Sequence, residues 1–342
     1  MIDRADSEPI RVVFCGTPEF AVPALRALFA DARFDVVLAV TQPDRPAGRG
    51  RKLVMPAVKA AALDLGVPVH QPVGLRSEAE RLPLVDARAG VFVVAAYGVI
   101  FGAKTLAIPR FGCLNLHASI LPAYRGASPI SAAIAERENR TGVTLMRMER
   151  GLDTGPMLGT RSLDIRPDDT TASLTARLAE VGALLAVDLI PGVVTGDVRP
   201  VPQAGTATLT RPLVKADGWL DWKRPAAELE AQVRAMWPWP RAWTTAGADS
   251  ETDRILQVHR ASLVEGSTDP VGPAGAILVD GHADVVVATG DGLLRLETVQ
   301  EAGGRPLAAS ALRRSSRLEA GEILGGSGAP DRRSPLVTTI PA

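Results

Sequence analysis

Three polar side chains in two short segments have the residue types that acyl transfer needs. The segment GCLNLHAS (112–119) places Asn115 and His117 two residues apart, and RGLDTGPM (150–157) places Asp153 between two glycines. Because side chains alternate along a strand, Asn115 and His117 share one face, about 6.5–7 Å apart. An amide donor and an imidazole can converge on one oxygen atom, and a carboxylate can orient the imidazole. The three residues therefore predict a site that stabilises an oxyanion and moves a proton.

Each of these residues also has a structural interpretation. A lone histidine on a strand is more often a hydrogen-bonded structural residue, and Asp153 between glycines is typical of a turn. Ser119 shares the face of His117, but residues two apart on a strand point in parallel, and the chain has no G-x-S-x-G elbow. No pair of His or Cys residues has the spacing of zinc ligands. The residues alone leave the structural and catalytic interpretations open.

The elements that position these residues follow a strand–helix alternation. Near-continuous apolar runs at 10–16, 35–42, 90–98 and 113–119 indicate strands that are covered on both faces. Segments at 23–32, 56–66 and 78–88 indicate the helices between them. This alternation predicts an α/β fold with a doubly wound, mostly parallel, Rossmann-like sheet, in which ligands bind beyond the carboxyl ends of the strands. Asn115 and His117 lie at such an end.

The rest of the chain indicates a second, smaller domain. A hairpin at 142–148 and 156–165 and a long helix at 171–190 close the first domain, which is expected to cover residues 1–195. Residues 196–214 are rich in Gly, Pro and Thr and are expected to form a linker. One amphipathic helix and several short strands then predict an OB-like β-barrel over 215–322. A disordered tail is expected over 323–342.

Bulk composition excludes several classes of protein. The 342 residues carry no net formal charge, and the two cysteines are too few for a disulfide framework. The N-terminal residues lack the features of a signal peptide, and no uninterrupted apolar run has the length of a membrane span. The sequence therefore predicts a cytoplasmic protein with no membrane partner.

A basic loop and a tryptophan cluster are candidates for contact with RNA. The segment QPDRPAGRGRK (42–52) carries a net charge of +3, from Arg45, Arg49, Arg51 and Lys52 against Asp44. Interleaved Pro and Gly predict a protruding loop without fixed secondary structure, and the charge favours contact with an RNA backbone over a merely solvated face. All five tryptophans lie in 219–243. They are expected to form the core of the small domain and its junction with the first domain, rather than a stacking platform.

The segment NLHASILPAYRGASPI (115–130) resembles the N-x-H-x-S-[LI]-L-P-x-x-R-G motif of formyltransferases that use 10-formyltetrahydrofolate. GLDTGPM is similar to the aspartate loop of that family, and the match extends in order from about residue 10 to residue 318. Further segments resemble the branch that acts on methionine carried by initiator tRNA: FCGTPEFAVPAL, TQPDRPAGRGRKL and WLDWKRPAAELEAQVRAMWPWPRAW. Two positions depart from the motif, with Ala118 where glycine is usual and Ile120 where leucine is usual.

The resemblance implies an activity, a set of site residues and two substrates. Asn115, His117 and Asp153 would be catalytic, and the amine of initiator methionyl-tRNA would take the formyl group from 10-formyltetrahydrofolate, without a metal. Residues Ser119, Ile120, Leu121 and Pro122 would line the folate site, and the 42–52 loop would enter the acceptor end of the tRNA. The small residues of VVAAYGVI (93–100) add Ala95, Tyr97 and Gly98 as folate contacts through their backbone, although close packing of the sheet is an equal interpretation.

Two other functions are compatible with parts of the sequence. A related folate-dependent formyltransferase or hydrolase that acts on a small amine or on water would not need a loop of net charge +3. A non-catalytic RNA-binding protein would leave Asn115, His117 and Asp153 unexplained. The expectation is a monomeric enzyme that acts on tRNA in translation initiation.

Overall fold

The computed structural model describes residues 8–47, 52–247, 254–264, 272–278, 284–326, 328–331 and 334–340. The strands of the first part of the chain are β1 (Ile10–Gly16), β2 (Phe34–Val40), β3 (Arg45–Ala47), β4 (Lys52–Val54), β5 (Val69–His70), β6 (Val91–Ala95), β7 (Cys113–His117), β8 (Arg125–Gly126), β9 (Arg140–Arg147) and β10 (Met157–Asp164). The α-helices are α1 (Val22–Ala30), α2 (Ala57–Asp64), α3 (Glu78–Asp86), α4 (Ala103–Leu106), α5 (Pro129–Ala135) and α6 (Thr171–Thr195), and a 3₁₀ turn covers Glu19–Ala21.

Seven of these strands form one sheet in the order β10-β9-β7-β6-β1-β2-β5. The strands from β7 to β5 run parallel to one another, whereas β9 and β10 add to β7 as an antiparallel hairpin. The predicted doubly wound, mostly parallel sheet is therefore confirmed. Strand β7 lies where the parallel part of the sheet meets the antiparallel part. Because β9 is antiparallel to β7, with Leu114 opposite Arg147 and His117 opposite Thr144, the loop between β9 and β10 begins beside the amino end of β7. It folds back along the strand, so that Asp153 reaches Asn115 and His117.

Both faces of the sheet are covered by apolar layers. Val12 and Phe14 of β1 face a layer that includes helices α1, α2 and α6, and Val13 and Cys15 face a layer that includes Leu84 of α3. Burial on both faces is the reason that these strands are apolar at nearly every position.

Strand β7 follows the same alternation. Leu114 and Leu116 belong to the first layer, and Cys113 belongs to the second. Asn115 and His117 therefore project on the side of Cys113, because side chains two residues apart share a face. The strand fixes both polar side chains through the burial of its apolar neighbours.

Helix α6 has the length and hydropathy of a membrane span, by composition alone, and no other helix among the described residues does. The sequence analysis found no such span because charged side chains at 177, 180 and 188 interrupt the apolar run. One face of the helix is buried in the first apolar layer, through residues that include Leu174, Leu178 and Ile190. In this fold the helix therefore packs as a core helix across strands β9 and β10 and helix α1.

The expectation of a basic loop without secondary structure was wrong in part. Strands β3 and β4 pair antiparallel, with Arg45 opposite Val54 and Ala47 opposite Lys52. Pro46 lies inside β3, opposite Leu53. A two-stranded sheet has only edge strands, and edge strands tolerate proline. We call residues 45–54 the basic hairpin. Arg49 and Arg51 lie outside the described residues.

The second part of the chain contains the strands β11 (Thr208–Thr210), β12 (Ala242–Ala246), β13 (Arg254–Leu263), β14 (Ile277–Leu278), β15 (Val285–Ala288), β16 (Leu293–Glu301), β17 (Leu307–Ala308) and β18 (Val337–Thr339). Its helices are α7 (Ala226–Ala235) and α8 (Ala309–Arg314), and a 3₁₀ turn covers Lys215–Gly218. Strands β12 to β17 form an antiparallel, curled sheet in the order β12-β13-β16-β15-β14, with β17 added to β16. This half-barrel agrees with the predicted OB-like domain.

The tryptophans of this domain differ in how far they are buried. Trp222 is buried and donates a hydrogen bond to Thr244 Oγ1 at 3.0 Å, and Trp219 packs edge-on against Trp243 with ring centroids 4.9 Å apart. Trp239 is 57% exposed, so the expectation that all five pack in the core or at the domain junction was wrong at this position. The prolines on both sides of Trp239 hold it in the connection that follows α7, outside the sheet.

A small mixed sheet joins the linker to the first part of the chain. Strand β11 pairs parallel with β8 and antiparallel with β18, so the sheet order is β18-β11-β8. Residues 337–339 are thus ordered as a strand, within a segment for which the sequence indicates disorder. The short strand β11 of the linker needs hydrogen-bond partners on both of its edges. Strand β8 covers one edge, and β18 pairs with the other.

Candidate active site

Strand β7 and the β9–β10 loop bring the three predicted catalytic side chains together. The Asn115 amide donates to Asp153 Oδ1 at 3.3 Å, and His117 Nδ1 lies 3.5 Å from Asp153 Oδ2. The His117 side chain is 6% exposed and that of Asp153 is 14% exposed, so both face the interior with a narrow opening to solvent. One carboxylate thus faces both the amide and the imidazole.

The tautomer of His117 is set by a backbone carbonyl that the sequence analysis did not consider. Nε2 of His117 lies 2.8 Å from the carbonyl oxygen of Tyr124. Because a carbonyl only accepts hydrogen bonds, Nε2 carries a hydrogen and donates it. In the neutral imidazole, Nδ1 is then the nitrogen with a free lone pair, and it faces Asp153. The carbonyl oxygen of Tyr124 is thus a second partner of the ring, in addition to the predicted Asp153.

Asp153 is held in an uncommon backbone conformation. Its φ angle is 51°, in the left-handed region. For a residue other than glycine, this conformation costs about 1–2 kcal/mol of free energy. The neighbouring Gly155 makes the approach possible, because a Cβ atom at that position would collide with the carbonyl oxygen of Arg147. The backbone N–H of Gly126 donates to Asp153 Oδ2 at 2.9 Å and so fixes the carboxylate from the side opposite the loop.

The segment that follows β7 is a buried turn rather than an open wall. The Ser119 hydroxyl donates to the carbonyl oxygen of Ala123 at 2.6 Å, and Ser119 and Leu121 are buried. Pro122 is half-buried and Ile120 is 36% exposed. Of the four predicted folate residues in this turn, Ile120 presents the most side-chain surface.

The other three predicted folate residues end strand β6. Ala95 is buried in the first apolar layer, and Tyr97 is buried in the second, where its ring meets Phe101 edge-on at 6.0 Å. Burial raises the pKa of the Tyr97 phenol, and its hydroxyl has no hydrogen-bond partner among the described residues. Gly98 has a φ angle of +79°, and a Cβ atom there would meet the amide of Gln42.

Gly98 opens onto a cleft of about 780 Å³, which is lined by residues of 73–81 and of 98–105. Clefts that bind drug-sized ligands have volumes of about 300–1,000 Å³. Its walls include the exposed side chains of Val73 and Ile100, and the exposed cations Arg76 and Lys104 stand at its rim. The sequence does not indicate this cleft, because its lining comes from two separate segments, each a loop with the start of a helix, that share no pattern.

The basic hairpin is connected to the end of β6. Arg45 donates to Gln42 Oε1 at 2.6 Å, and the Gln42 amide donates to the carbonyl oxygen of Tyr97 at 2.9 Å. The carboxylate of Asp44 pairs with Lys59 at 2.7 Å. The Lys59 ammonium lowers the pKa of Asp44, with a further contribution from the Gln71 amide. Arg45 itself is exposed.

Comparisons with known proteins agree with this site. A family profile described as "Formyl transferase" matches residues 10–190, and one described as "Formyl transferase, C-terminal domain" matches residues 212–317. The "Methionyl-tRNA formyltransferase" of Roseiflexus castenholzii is 47% identical over 319 residues, which are 93% of this chain and 99% of that protein. That of Pseudomonas paraeruginosa is 46% identical, with 92% of this chain and 100% of that protein covered.

The chain belongs to the methionyl-tRNA formyltransferase family. It is therefore an enzyme, and the formyltransferase resemblance noted in its motifs is confirmed. Within the described residues of this formyltransferase, no group of three or more His, Cys, Asp or Glu side chains could hold a metal ion.

Solved structures share the fold of this formyltransferase at low sequence identity. An N-formyltransferase from Helicobacter canadensis, in complex with folinic acid and dTDP-3-aminofucose, gives a TM-score of 0.60 at 17% identity, over 84% of this chain and 98% of that chain. The methionyl-tRNA formyltransferase from Clostridium thermocellum gives a TM-score of 0.51 at 15% identity, over 75% of this chain and 95% of that chain.

Proposed function

We propose that this enzyme transfers the formyl group of 10-formyltetrahydrofolate to the α-amino group of methionine on initiator tRNA. The observation that carries the proposal is the convergence of Asn115, His117 and Asp153 at the carboxyl end of β7, with Asp153 at 3.3 Å and 3.5 Å from the other two side chains. Methionyl-tRNA formyltransferases that are 47% and 46% identical over nearly the whole chain support the same reaction.

In the proposed reaction the amine nitrogen attacks the formyl carbon, and the bond from that carbon to N10 of the folate then breaks. The amine loses one proton and N10 gains one, so the reaction needs a group that takes a proton and returns it. Because Nε2 of His117 already donates to Tyr124, the imidazole atom that takes this proton is Nδ1, which faces Asp153 Oδ2 at 3.5 Å. Asp153 stabilises the imidazolium that forms between the two transfers.

Asn115 supplies the second part of the mechanism. Its amide nitrogen has two hydrogens, and one of them is directed to Asp153. The other can donate to the formyl oxygen as that oxygen becomes negative in the tetrahedral intermediate. A donor of this kind is worth about 3–4 kcal/mol of barrier, or about 100–1,000-fold in rate.

We propose that the folate binds between this centre and the cleft beside Gly98. The apolar walls of the cleft suit a flat ring system, and Arg76 and Lys104 at its rim suit the carboxylates of a folate tail. The other proposed folate contacts are Ala95, Tyr97 and residues 119–122, which follow or end strands β6 and β7. Arg76 and Lys104 are two further proposed folate contacts, which the sequence motifs did not indicate.

The proposed tRNA contacts are the basic hairpin, with Arg45, Arg49, Arg51 and Lys52, and the half-barrel domain. The hairpin begins beside the carboxyl end of β2, on the same edge of the sheet as His117. A tRNA whose backbone binds there can place its acceptor end in the active site. One chain supplies all three catalytic side chains, so the site does not need a second copy to be complete. We also propose that the enzyme is a monomer and that it acts in the cytoplasm.

The experiment that tests the function compares three acceptors with 10-formyltetrahydrofolate as donor. Charged initiator methionyl-tRNA should be formylated at a kcat/KM at least about 100-fold above that of charged elongator methionyl-tRNA. A dTDP-linked amino sugar should not react. Equal rates with both tRNAs would refute the initiator assignment, and a faster reaction with the amino sugar would assign the site to small amines.

A further inference from the structure

Gln203, in the segment between the two domains, contacts the catalytic loop from behind. Its side-chain nitrogen Nε2 donates to the carbonyl oxygens of Asp153 and Gly155, both at 2.8 Å. Its side-chain oxygen Oε1 accepts two hydrogen bonds from Arg125, at 3.0 Å from Nε and 2.7 Å from Nη2. One side chain therefore joins the loop that carries Asp153 to the strand β8 that carries Arg125 and Gly126.

The orientation of this amide is forced by its partners. A guanidinium only donates and backbone carbonyls only accept, so Oε1 must face Arg125 and Nε2 must face the loop. Both hydrogens and both lone pairs of the amide are then used, which leaves no alternative orientation with equal hydrogen bonding. Glutamine is the residue that can make all four contacts, because a carboxylate has no hydrogens to donate.

The hydrogen bonds of Gln203 reach Asp153, the residue of the loop whose backbone is strained. Asp153 has a left-handed φ angle of 51°, and the hydrogen bond from Gln203 fixes its carbonyl oxygen in that conformation. Gly126, the residue after Arg125, fixes its carboxylate at 2.9 Å. We call Gln203, Arg125 and Gly126 the clamp: Gln203 fixes the backbone of Asp153, and Gly126 fixes its side chain.

We propose that Gln203 is a positioning residue for catalysis, which acts by holding the Asp153 carboxylate in register with His117 and Asn115. The proposal rests on the proposed catalytic function of Asp153. Gln203 lies 50 residues from Asp153 along the chain, in the segment that leads to the second domain. The segment that joins the two domains is therefore part of the support of the catalytic centre, rather than a passive connection.

The test begins with Gln203→Glu, which keeps the acceptor for Arg125 and removes both donors to the loop. In the full-length enzyme, kcat should fall between about 10-fold and about 100-fold, because small displacements of reacting groups have effects of that size. The KM values for 10-formyltetrahydrofolate and for initiator methionyl-tRNA should stay within about twofold. Gln203→Met, which removes all four contacts, should lower kcat at least as much.

A double substitution separates positioning from a general loss of structure. If Gln203 acts through Asp153, then Gln203→Glu should have less than about a threefold effect in an Asp153→Asn background, measured by single-turnover formyl transfer. An undiminished effect in that background would overturn the proposal. A wild-type rate for Asp153→Asn alone would instead refute the proposed function of Asp153.

Folding is controlled by a variant outside the clamp. Val193→Ala removes methyl groups from the buried face of helix α6, in the first apolar layer, and leaves the four hydrogen bonds of Gln203 in place. Val193→Ala should lower the unfolding temperature with kcat unchanged, whereas Gln203→Glu should lower kcat at a temperature where both variants are folded by circular dichroism. A parallel loss of kcat in both variants would mean that Gln203 only stabilises the fold.

Discussion

The oxygen of Asp153 that faces His117 also accepts a hydrogen bond, at 2.9 Å, from the backbone N–H of Gly126. Gly126 belongs to strand β8, and its partner in the small mixed sheet is Thr210 of β11. The position of the Asp153 carboxylate therefore depends on how β8 pairs with β11, the strand of the linker. This relationship gives the first prediction.

Gly126→Ala should inactivate the enzyme without touching a catalytic side chain. Gly126 has a φ angle of +98°, and a Cβ atom there would collide with the carbonyl oxygen of Thr210, so β8 must move away from β11. A shift of about 1 Å at the donor to Asp153 should lower kcat about 100-fold. The control is Gly66→Ala, which has a similar φ angle of +71° with no atom near the added Cβ. Its kcat should be unchanged, and a Gly126→Ala enzyme within threefold of wild type would contradict the prediction.

Tyr97→Phe should stabilise the protein. The phenol hydroxyl is buried in an apolar layer without a hydrogen-bond partner among the described residues, and such a group costs about 1–3 kcal/mol. Removing it should raise the unfolding temperature by about 2–4 °C for each kcal/mol recovered. The KM for 10-formyltetrahydrofolate should not change, because the proposed folate contact of Tyr97 is through its backbone. A lower unfolding temperature together with a higher KM would show that the hydroxyl binds the substrate.

The two thiols should be inert in the folded enzyme. Burial raises the pKa of Cys113 to about 12 and holds the pKa of Cys15 well above its usual range, with the neighbouring Cys113 adding to the effect. At pH 8 both thiols are therefore protonated, and the thiolate is the nucleophile. A thiol reagent should label neither cysteine in the native enzyme and both after unfolding in guanidinium chloride. Labelling of the native enzyme at the rate of a free thiol would contradict this.

The basic hairpin should contribute affinity for tRNA that depends on salt. In the double variant Arg45→Ala and Lys52→Ala, tRNA should bind more weakly, and the slope of log K against log salt should decrease by about 0.7–0.9 for each lost phosphate contact. The folate Kd should be unchanged. Arg26→Ala, which removes an exposed cation of helix α1, is the matched control and should leave the slope unaltered. An equal decrease in slope for both variants would mean that the hairpin has no special function in binding.

Local patterns were sufficient to predict the central sheet and the shared face of Asn115 and His117. The alternation of apolar residues in β7 requires that Leu114 and Leu116 enter one layer, and the two polar residues must then face the opposite way. The approach of Asp153 was also within reach of the sequence, because Gly155 marks a place where two backbones meet closely. These signals involve residues that are near one another in the chain.

The contacts that complete the site come from distant segments and leave no local pattern. Gln203 lies in a linker whose composition indicates only a lack of helix, and nothing there points to Asp153. The carbonyl oxygen of Tyr124 that fixes the tautomer of His117 is a backbone atom, and a sequence does not show where backbone atoms point. Strand β18 forms because β11 offers an unpaired edge, which depends on the assembled fold.

The central claim is that Asn115, His117 and Asp153 act on the transition state of formyl transfer. Single-turnover transfer from 10-formyltetrahydrofolate to initiator methionyl-tRNA, measured for Asn115→Ala, His117→Ala and Asp153→Ala, tests it most directly. Each variant should lose about 100–1,000-fold in rate, with the Kd for folate within about threefold of wild type. Losses of tenfold or less in all three variants would contradict the claim.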